Sequence, residues 1–156
     1  MVAYTDSLGI NKGSIALASS YTNRFMVMEY TIDFAKIAAA RSAAGATALA
    51  NTDTLVLATL PKGSYIVGGS VKLLKAEGAV TSIDLGTSVT PALFANNFAC
   101  GGTVGTMVGT TTAEFLAVDT NVELLVNNNS MDVAKVLLSI IVIDAGTNPG
   151  SIPNAT

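Results

Sequence analysis

Hydrophobic and polar residues alternate along several short runs of the chain, and turn-forming residues separate these runs. In residues 28–35, Tyr30, Ile32 and Phe34 fall on one face, and the residues between them fall on the other. A period of two residues is typical of a half-buried β-strand. Further runs that are predicted to be strands are residues 53–60, 65–76, 81–86 and 121–127.

Two glycine-containing segments predict how the middle strands are shaped and connected. Proline pre-sets a turn torsion and glycine accepts the exit conformation, so Pro-Lys-Gly at 61–63 predicts a hairpin from residues 53–60 to 65–76. Within the second of these strands, the adjacent Gly68 and Gly69 predict a bulge or bend. Four apolar side chains of that strand are predicted to share one face: Tyr65, Val67, Val71 and Leu73.

The strand predicted at residues 134–144 is apolar on both faces, which predicts that both faces are covered. In an antiparallel protein of this size, the second cover is predicted to be another subunit. In residues 121–127, Leu125 points outward beside three residues that face inward, Val122, Leu124 and Val126. The residues predicted to form an oligomer interface are Leu125, Val136, Leu138, Ile140 and Val142.

Other segments do not alternate. Residues 35–50 have a helix-favouring composition, but Gly45 interrupts them. A long alanine-rich crossing loop with one helical turn is therefore predicted in preference to a full helix. Residues 87–112 are rich in Gly, Thr and Asn and are predicted to form long loops with one short strand, and residues 114–117 a further short strand.

Seven or eight short strands joined by long connections predict an all-β fold, an antiparallel β-sandwich that is either a jelly roll or a similar Greek key. It is predicted to be jelly-roll-like, with extended N- and C-terminal arms. The predicted division is an N-terminal arm at residues 1–25, a sandwich domain at 26–145 and a flexible C-terminal tail at 146–156.

Composition favours a protein that works in an assembly. Half of the residues are hydrophobic, only 12% are charged, and the mean hydropathy is +0.54. Such values indicate apolar surface that is buried against partners. The net charge of −3 argues against a nucleic-acid partner. The N-terminus lacks the features of a signal peptide, and the apolar run at 136–143 is far shorter than the roughly 20 residues that cross a bilayer. The sequence thus predicts a soluble protein made in a cytosol, with no membrane partner.

The sequence contains no set of residues that predicts catalysis. The chain has no histidine and only one cysteine, Cys100, which excludes Ser-His-Asp and Cys-His catalysis and any zinc site built from His or Cys within one chain. Gly-Gly-Thr-Val-Gly at 101–105 lacks the Lys-Ser/Thr of a phosphate-binding loop. Asp33 and Asp84 fall at outward positions of predicted strands and are interpreted as solvated side chains. No enzymatic activity, cofactor or metal is predicted.

Several segments, taken in their order along the chain, resemble small jelly-roll structural proteins of tailed bacteriophages. They are YTIDFA, an alanine-rich loop, DTLVLATL, a Pro-Lys-Gly turn, VKLLKAEG and VTSIDLG, followed by an apolar strand near the C-terminus. The resemblance covers residues 28–144. It implies a virion structural protein: a capsid decoration (cement) protein that binds the outside of the phage head as a homotrimer and stabilises it. The implied partners are further copies of the chain and the major capsid protein, on a capsid surface assembled in the host cytoplasm.

The alternative is a head-fibre or tail receptor-binding domain that recognises host glycans. The absence of Trp and the scattered Tyr residues favour the decoration protein.

The N-terminal segment is the candidate for attachment to the capsid. It carries spaced apolar side chains at Val2, Tyr4, Leu8 and Ile10. A large apolar contact would offset the conformational entropy lost when such an arm becomes ordered. Pairing of the same residues as an extra edge strand within the trimer is the equally weighted alternative.

Overall fold

The computed structural model of the chain describes residues 3–4, 10–17, 24–110 and 112–144. Eleven strands and one helix lie within these residues: β1 (Ala3–Tyr4), β2 (Ile10–Leu17), β3 (Arg24–Asp33), α1 (Phe34–Ala43), β4 (Thr54–Leu60), β5 (Ser64–Lys75), β6 (Ser82–Thr87), β7 (Ala95–Ala99), β8 (Met107–Thr110), β9 (Glu114–Phe115), β10 (Thr120–Asn127) and β11 (Lys135–Asp144).

The strands form two sheets that pack face to face. Sheet A has the order β1-β4-β10-β6-β7, and sheet B has the order β2-β3-β11-β5-β8 with β9 also paired to β5. All pairs are antiparallel except β1 with β4. From β3 to β6 each strand lies in the sheet opposite to the one before it, and β10 and β11 again lie in opposite sheets. The predicted fold class, an antiparallel β-sandwich, is confirmed.

Alternate residues of the strands fill the space between the sheets. In β3, Tyr30 and Ile32 are buried, as the sequence pattern predicts, and Phe34, predicted to continue that strand, is buried as the first residue of α1. The same alternation in β10 leaves no accessible surface on Val122, Leu124 and Val126. Full burial of one such aliphatic side chain stabilises the fold by about 1.5–3 kcal/mol, so the alternation accounts for much of the cohesion of the sandwich.

The Pro-Lys-Gly turn does not close a hairpin, so that prediction is wrong. It carries the chain from β4 in sheet A to β5 in sheet B. Gly63 adopts a φ of +88° at this crossing, and its N–H donates to the carbonyl oxygen of Leu116 at 2.8 Å. The sequence predicts the turn itself, but tertiary packing decides whether the strand after the turn joins the same sheet or the opposite one.

The predicted bulge at Gly68 is present, and it changes which side chains share a face. Ile141 pairs with Gly68 while Val142 pairs with Ile66, so one extra residue of β5 lies between them. As a result Val71 and Leu73 are buried in the core, whereas Tyr65 and Val67 lie on the outer face. The prediction that all four side chains share one face is wrong, because a bulge reverses the alternation beyond it.

Gly69, next to the bulge, faces the core. A Cβ atom at this position would lie 2.5 Å from Cδ1 of Phe94, so the absence of a side chain lets the Phe94 ring pack against the β5 backbone.

The alanine-rich segment forms a helix rather than a loop. The helix α1 spans Phe34–Ala43, and Asp33 caps its N-terminus by accepting from the N–H of Lys36 at 3.3 Å. Gly45, with a φ of +76°, follows its C-terminal end. The helix-favouring composition therefore extends over ten residues, and Gly45 ends the helix rather than interrupting it.

The region 87–112 contains two short strands, β7 and β8, where the sequence predicts one. Gly101–Gly105 form the turn between them, with no helix following, so the setting of a phosphate-binding loop is absent there. The short strand predicted at 114–117 is present as β9.

Two segments of the predicted N-terminal arm pair with the sandwich. β1 runs parallel to Thr54–Leu55 at one edge of sheet A, and β2 runs antiparallel along β3 at one edge of sheet B. Ile10 is therefore the first residue of an edge strand. Val2, Leu8 and the predicted tail at 146–156 lie outside the described residues.

Both acids that were predicted to be solvated accept backbone hydrogen bonds. Asp84 lies on the outer face of sheet A, as predicted, and its Oδ1 accepts from the N–H of Asn97 at 2.6 Å. Asp33 caps α1 and lies 3.6 Å from the Lys135 ammonium group. These groups help to shape the chain locally.

We expect Asp33→Asn to change the free energy of unfolding by less than about 0.5 kcal/mol, since the amide oxygen still caps the helix and the lost ion pair is exposed. Asp84→Asn is expected to cost up to about 1 kcal/mol, because a neutral acceptor replaces a charged one. Urea denaturation measures both. A loss above about 2 kcal/mol for either variant would contradict these local roles.

Candidate interaction surface

The described residues hold no cluster of chemistry-bearing side chains. Within them, no group of three or more His, Cys, Asp or Glu residues could hold a metal ion. In the same part of the chain, no helix is both long enough and apolar enough to span a membrane.

Four of the five predicted interface residues belong to the core of the single chain. Val136, Leu138, Ile140 and Val142 have no accessible surface. A side chain without accessible surface cannot add contact area to a neighbouring subunit, so these residues hold sheets A and B together. Leu125 is half-buried on the outer face of sheet A, as the alternation predicts.

The other face of β11 contributes to the outer surface of sheet B. Its outward residues are only partly buried, as are the outward residues of the neighbouring strands β3 and β5. The outer face of sheet B is defined here by Val27, Glu29, Tyr65, Val67, Ser70, Lys72, Phe115, Leu137, Ser139, Ile141 and Ile143.

One end of this face is apolar. Tyr65 pairs with Ile143 on one side and with Phe115 on the other. Tyr65 is 38% exposed and Phe115 is 61% exposed. Large aromatic side chains are more often buried than this. In the next row Ile141 pairs with Val27. Together the two rows form a continuous apolar patch across four strands, β9, β5, β11 and β3.

The middle of the face is a depression of about 290 Å³ lined by small or apolar residues. The glycine at 68, in the bulge, and the small serines at 70 and 139 leave little side-chain volume there. Ser139 donates to Oε1 of Glu29 at 3.3 Å at the rim. A depression of this kind allows another apolar surface to approach the backbone of the sheet.

The outer face of sheet A differs in character because hydrogen-bonded polar groups cover it. Thr59 donates to Oδ1 of Asn121 at 2.8 Å, and Asn121 Nδ2 donates to Glu123 at 3.2 Å. The Asp84–Asn97 bond described above lies on the same face. Leu125 and the half-buried Val56 are apolar side chains among these polar groups, so the described part of this face is more polar than the outer face of sheet B.

Glu77 has a structural role that the sequence did not reveal. It is 8% exposed, and its Oε2 accepts from three consecutive backbone N–H groups at 3.3, 3.0 and 2.9 Å: those of Asp132, Val133 and Ala134. Its own N–H donates to the carbonyl oxygen of Cys100 at 2.8 Å. The three N–H groups that donate to Oε2 lie more than 50 residues away along the chain, so no local pattern marks this carboxylate.

Cys100 is an inert core residue by environment. It has no accessible surface, and burial together with the nearby Glu77 carboxylate raises the pKa of Cys100 to about 12. A thiol with that pKa stays protonated at neutral pH and is a poor nucleophile.

The fold is shared with chains of phage capsids. No protein-family profile and no curated protein matches the sequence. A chain of the capsid asymmetric unit of cyanophage Pam1 is similar with a TM-score of 0.56 and 13% identity, over 83% of this chain and 91% of that one. A chain of the acid-stable capsid of Helicobacter pylori bacteriophage KHP30 gives 0.54 and 15%, over 85% and 93%.

A third similar chain comes from the capsid of Ralstonia phage GP4, with a TM-score of 0.52 and 17% identity, over 94% of this chain and all of that one. At such identities the likeness concerns the fold. In all three cases it extends over at least 83% of this chain and at least 91% of the other chain.

Proposed function

We propose that the protein is a structural component of a phage virion, a capsid decoration (cement) protein that binds the outside of the head as a homotrimer. The observation that carries the proposal is the likeness, over most of each chain, to chains from three phage capsid structures. The apolar outer face of sheet B supports it, because such a face fits a protein that works in an assembly.

The proposed mechanism is stabilisation through contact area. A shell under internal pressure fails where its subunits separate. A trimer that spans several subunits adds contacts that must break together, so three weak attachments act as one multivalent ligand with far higher avidity than a single attachment. The major capsid protein is the proposed partner, and the capsid surface the proposed location. No catalytic step is required.

The binding test uses heads produced without this chain. Purified protein is added to them, unbound protein is removed by sedimentation, and the heads are imaged. We expect the protein to sediment with the heads, to appear on their outer surface, and to raise the temperature at which they release DNA. Heads that bind none of it at micromolar concentration would contradict the proposal.

The N-terminal segment is the proposed attachment element, through Val2, Tyr4, Leu8 and Ile10. Deleting residues 2–8 removes three of these and retains β2. We expect this deletion to weaken binding to the heads at least tenfold, because each bound arm would bury apolar side chains. Deleting residues 146–156 is the matched control and should leave binding unchanged. Unchanged binding after the first deletion would assign attachment to a face of the sandwich instead.

A second candidate function is adhesion to host glycans, and one observation favours it. The exposed rings of Tyr65 and Phe115 lie opposite each other and resemble the aromatic platforms on which sugars stack. Virions that carry Tyr65→Ala with Phe115→Ala distinguish the two functions. Loss of adsorption to host cells with normal head stability would favour adhesion.

A further inference from the structure

We infer that the outer face of sheet B is the surface through which copies of this chain associate with each other. The number of copies, three, is taken from the proposed function. The inference deepens that function by naming the surface through which the copies contact each other. Its occupant is a second copy of the chain, which presents the same face.

The size of the face suits a specific interface. β11 has ten residues, which at about 3.3 Å each gives a length of roughly 33 Å. Five strands about 4.8 Å apart give a width of roughly 24 Å. The product is roughly 800 Å², the area that one partner contributes to an interface of standard size, and in a trimer each copy would divide it between its two neighbours.

The chemistry of the face favours a copy of the chain over the capsid as occupant. Interfaces between proteins that also exist apart are about as polar as the remaining protein surface. Interfaces between identical subunits are more apolar and contain few charged residues. Along the outer face of β11, three of four residues between positions 137 and 143 are aliphatic, and the fourth is Ser139. Sheet A, by contrast, presents a polar outer face.

Two charges on the face are placed to fix the orientation of the copies. Glu29 lies on β3 and Lys72 on β5, the two strands that flank the central β11. Both side chains are exposed, and neither has an ion-pair partner within the described part of the chain. We consider copies of the chain related by rotation about an axis parallel to the strands of sheet B. The part of the face on the β3 side of one copy then contacts the part on the β5 side of the next copy. Glu29, in the row of Ser139, then lies one row along the strands from Lys72 of the neighbouring copy, which is in the row of Leu137, so the two long side chains reach toward each other across about 7 Å.

Charge reversal tests this arrangement on the purified protein by analytical ultracentrifugation. Glu29→Lys and Lys72→Glu should each raise the dissociation constant for self-association at least tenfold, because like charges then meet in every contact. The double variant should restore the constant to within about threefold of the original. Single variants that associate normally, or a double variant as weak as the singles, would overturn the inference.

A second pair of variants compares the two outer faces. Ile141→Asp places a charge in the apolar part of sheet B, and Leu125→Asp is the matched control on sheet A. We expect Ile141→Asp to give a folded monomer, with unchanged circular dichroism, and Leu125→Asp to associate normally. The reverse result would place the contact on sheet A and overturn the inference.

These measurements use no capsid, so they separate the inference from the proposed function. A protein that associates through sheet B but binds no heads would retain the contact and refute decoration. A protein that binds heads while the charge reversals leave its assembly intact would retain decoration and refute the contact.

Discussion

Ile140→Asp is expected to abolish the folded state at neutral pH. Ile140 has no accessible surface, and β11 is the central strand of sheet B, paired on one side with Met28 and on the other with Gly69. The residues paired with Ile140, Met28 and Gly69, carry no charge, so burial of the carboxylate would cost several kcal/mol in addition to the lost apolar contact. A small domain is stable by only about 5–15 kcal/mol, and far-ultraviolet circular dichroism and urea titration should therefore show an unfolded chain.

The neighbouring residue supplies the control for this prediction. Ile141→Asp changes the same kind of side chain one position further along the strand, but on the outer face, where water can solvate the charge. It should remain folded with a loss of stability below about 2 kcal/mol. A folded Ile140→Asp protein, or equal damage from the two variants, would show that the assignment of inner and outer faces in β11 is wrong.

The alternation of residues predicts the strands well because their inner faces are buried by the chain itself. In β3 and β10, the residues that alternate in sequence are those with the least accessible surface. In β11 the pattern does not distinguish an inner face from an outer face, since both faces are apolar. The sequence predicts that both faces are covered, but it does not show which face meets sheet A, so Val136, Leu138, Ile140 and Val142 were assigned to the subunit interface instead of the core.

Features that depend on distant partners were the ones that sequence alone could not provide. Glycines at 68 and 69 predict a bulge, but they do not predict at which residue the alternation of inward and outward side chains reverses. The position of that reversal places Tyr65 on the outer face. Pro-Lys-Gly predicts a turn equally well within one sheet or between two sheets. The candidate surface was missed for the same reason: its rows combine residues from β3, β5, β9 and β11, which are separated by long stretches of chain.

The helix α1 could have been found from local signals. Asp33 is a favoured N-cap residue, the following residues favour helices, and Gly45 stands where a glycine ends a helix. Counting Gly45 as an interruption led to the loop prediction. Glu77 offers no such signal, since the long-range hydrogen bonds of its carboxylate all reach the loop before β11.

Glu77 makes the stability of the fold depend on pH. Burial alone would raise the pKa of Glu77, but the four backbone N–H groups that donate to its carboxylate outweigh burial and lower the pKa below its ordinary value of 4.5. A carboxyl group with a lowered pKa in the folded state stabilises the fold above its unfolded pKa. That contribution is present at neutral pH and is lost as the pH falls below about 4.5 towards the pKa of the folded state.

Glu77→Leu is therefore expected to lower the free energy of unfolding by about 2–4 kcal/mol at pH 7, because it leaves the N–H groups of residues 132–134 without an acceptor, and that of Ala134 is fully buried. Glu77→Gln keeps one acceptor oxygen and should lose less. Urea titrations at several pH values provide the measurement. The stability difference between the original protein and Glu77→Gln should shrink as the pH falls below about 4.5, where the protonated carboxyl group resembles the amide. A difference that stays constant down to pH values well below 4.5 would show that the charge of Glu77 does not hold the loop before β11 in place.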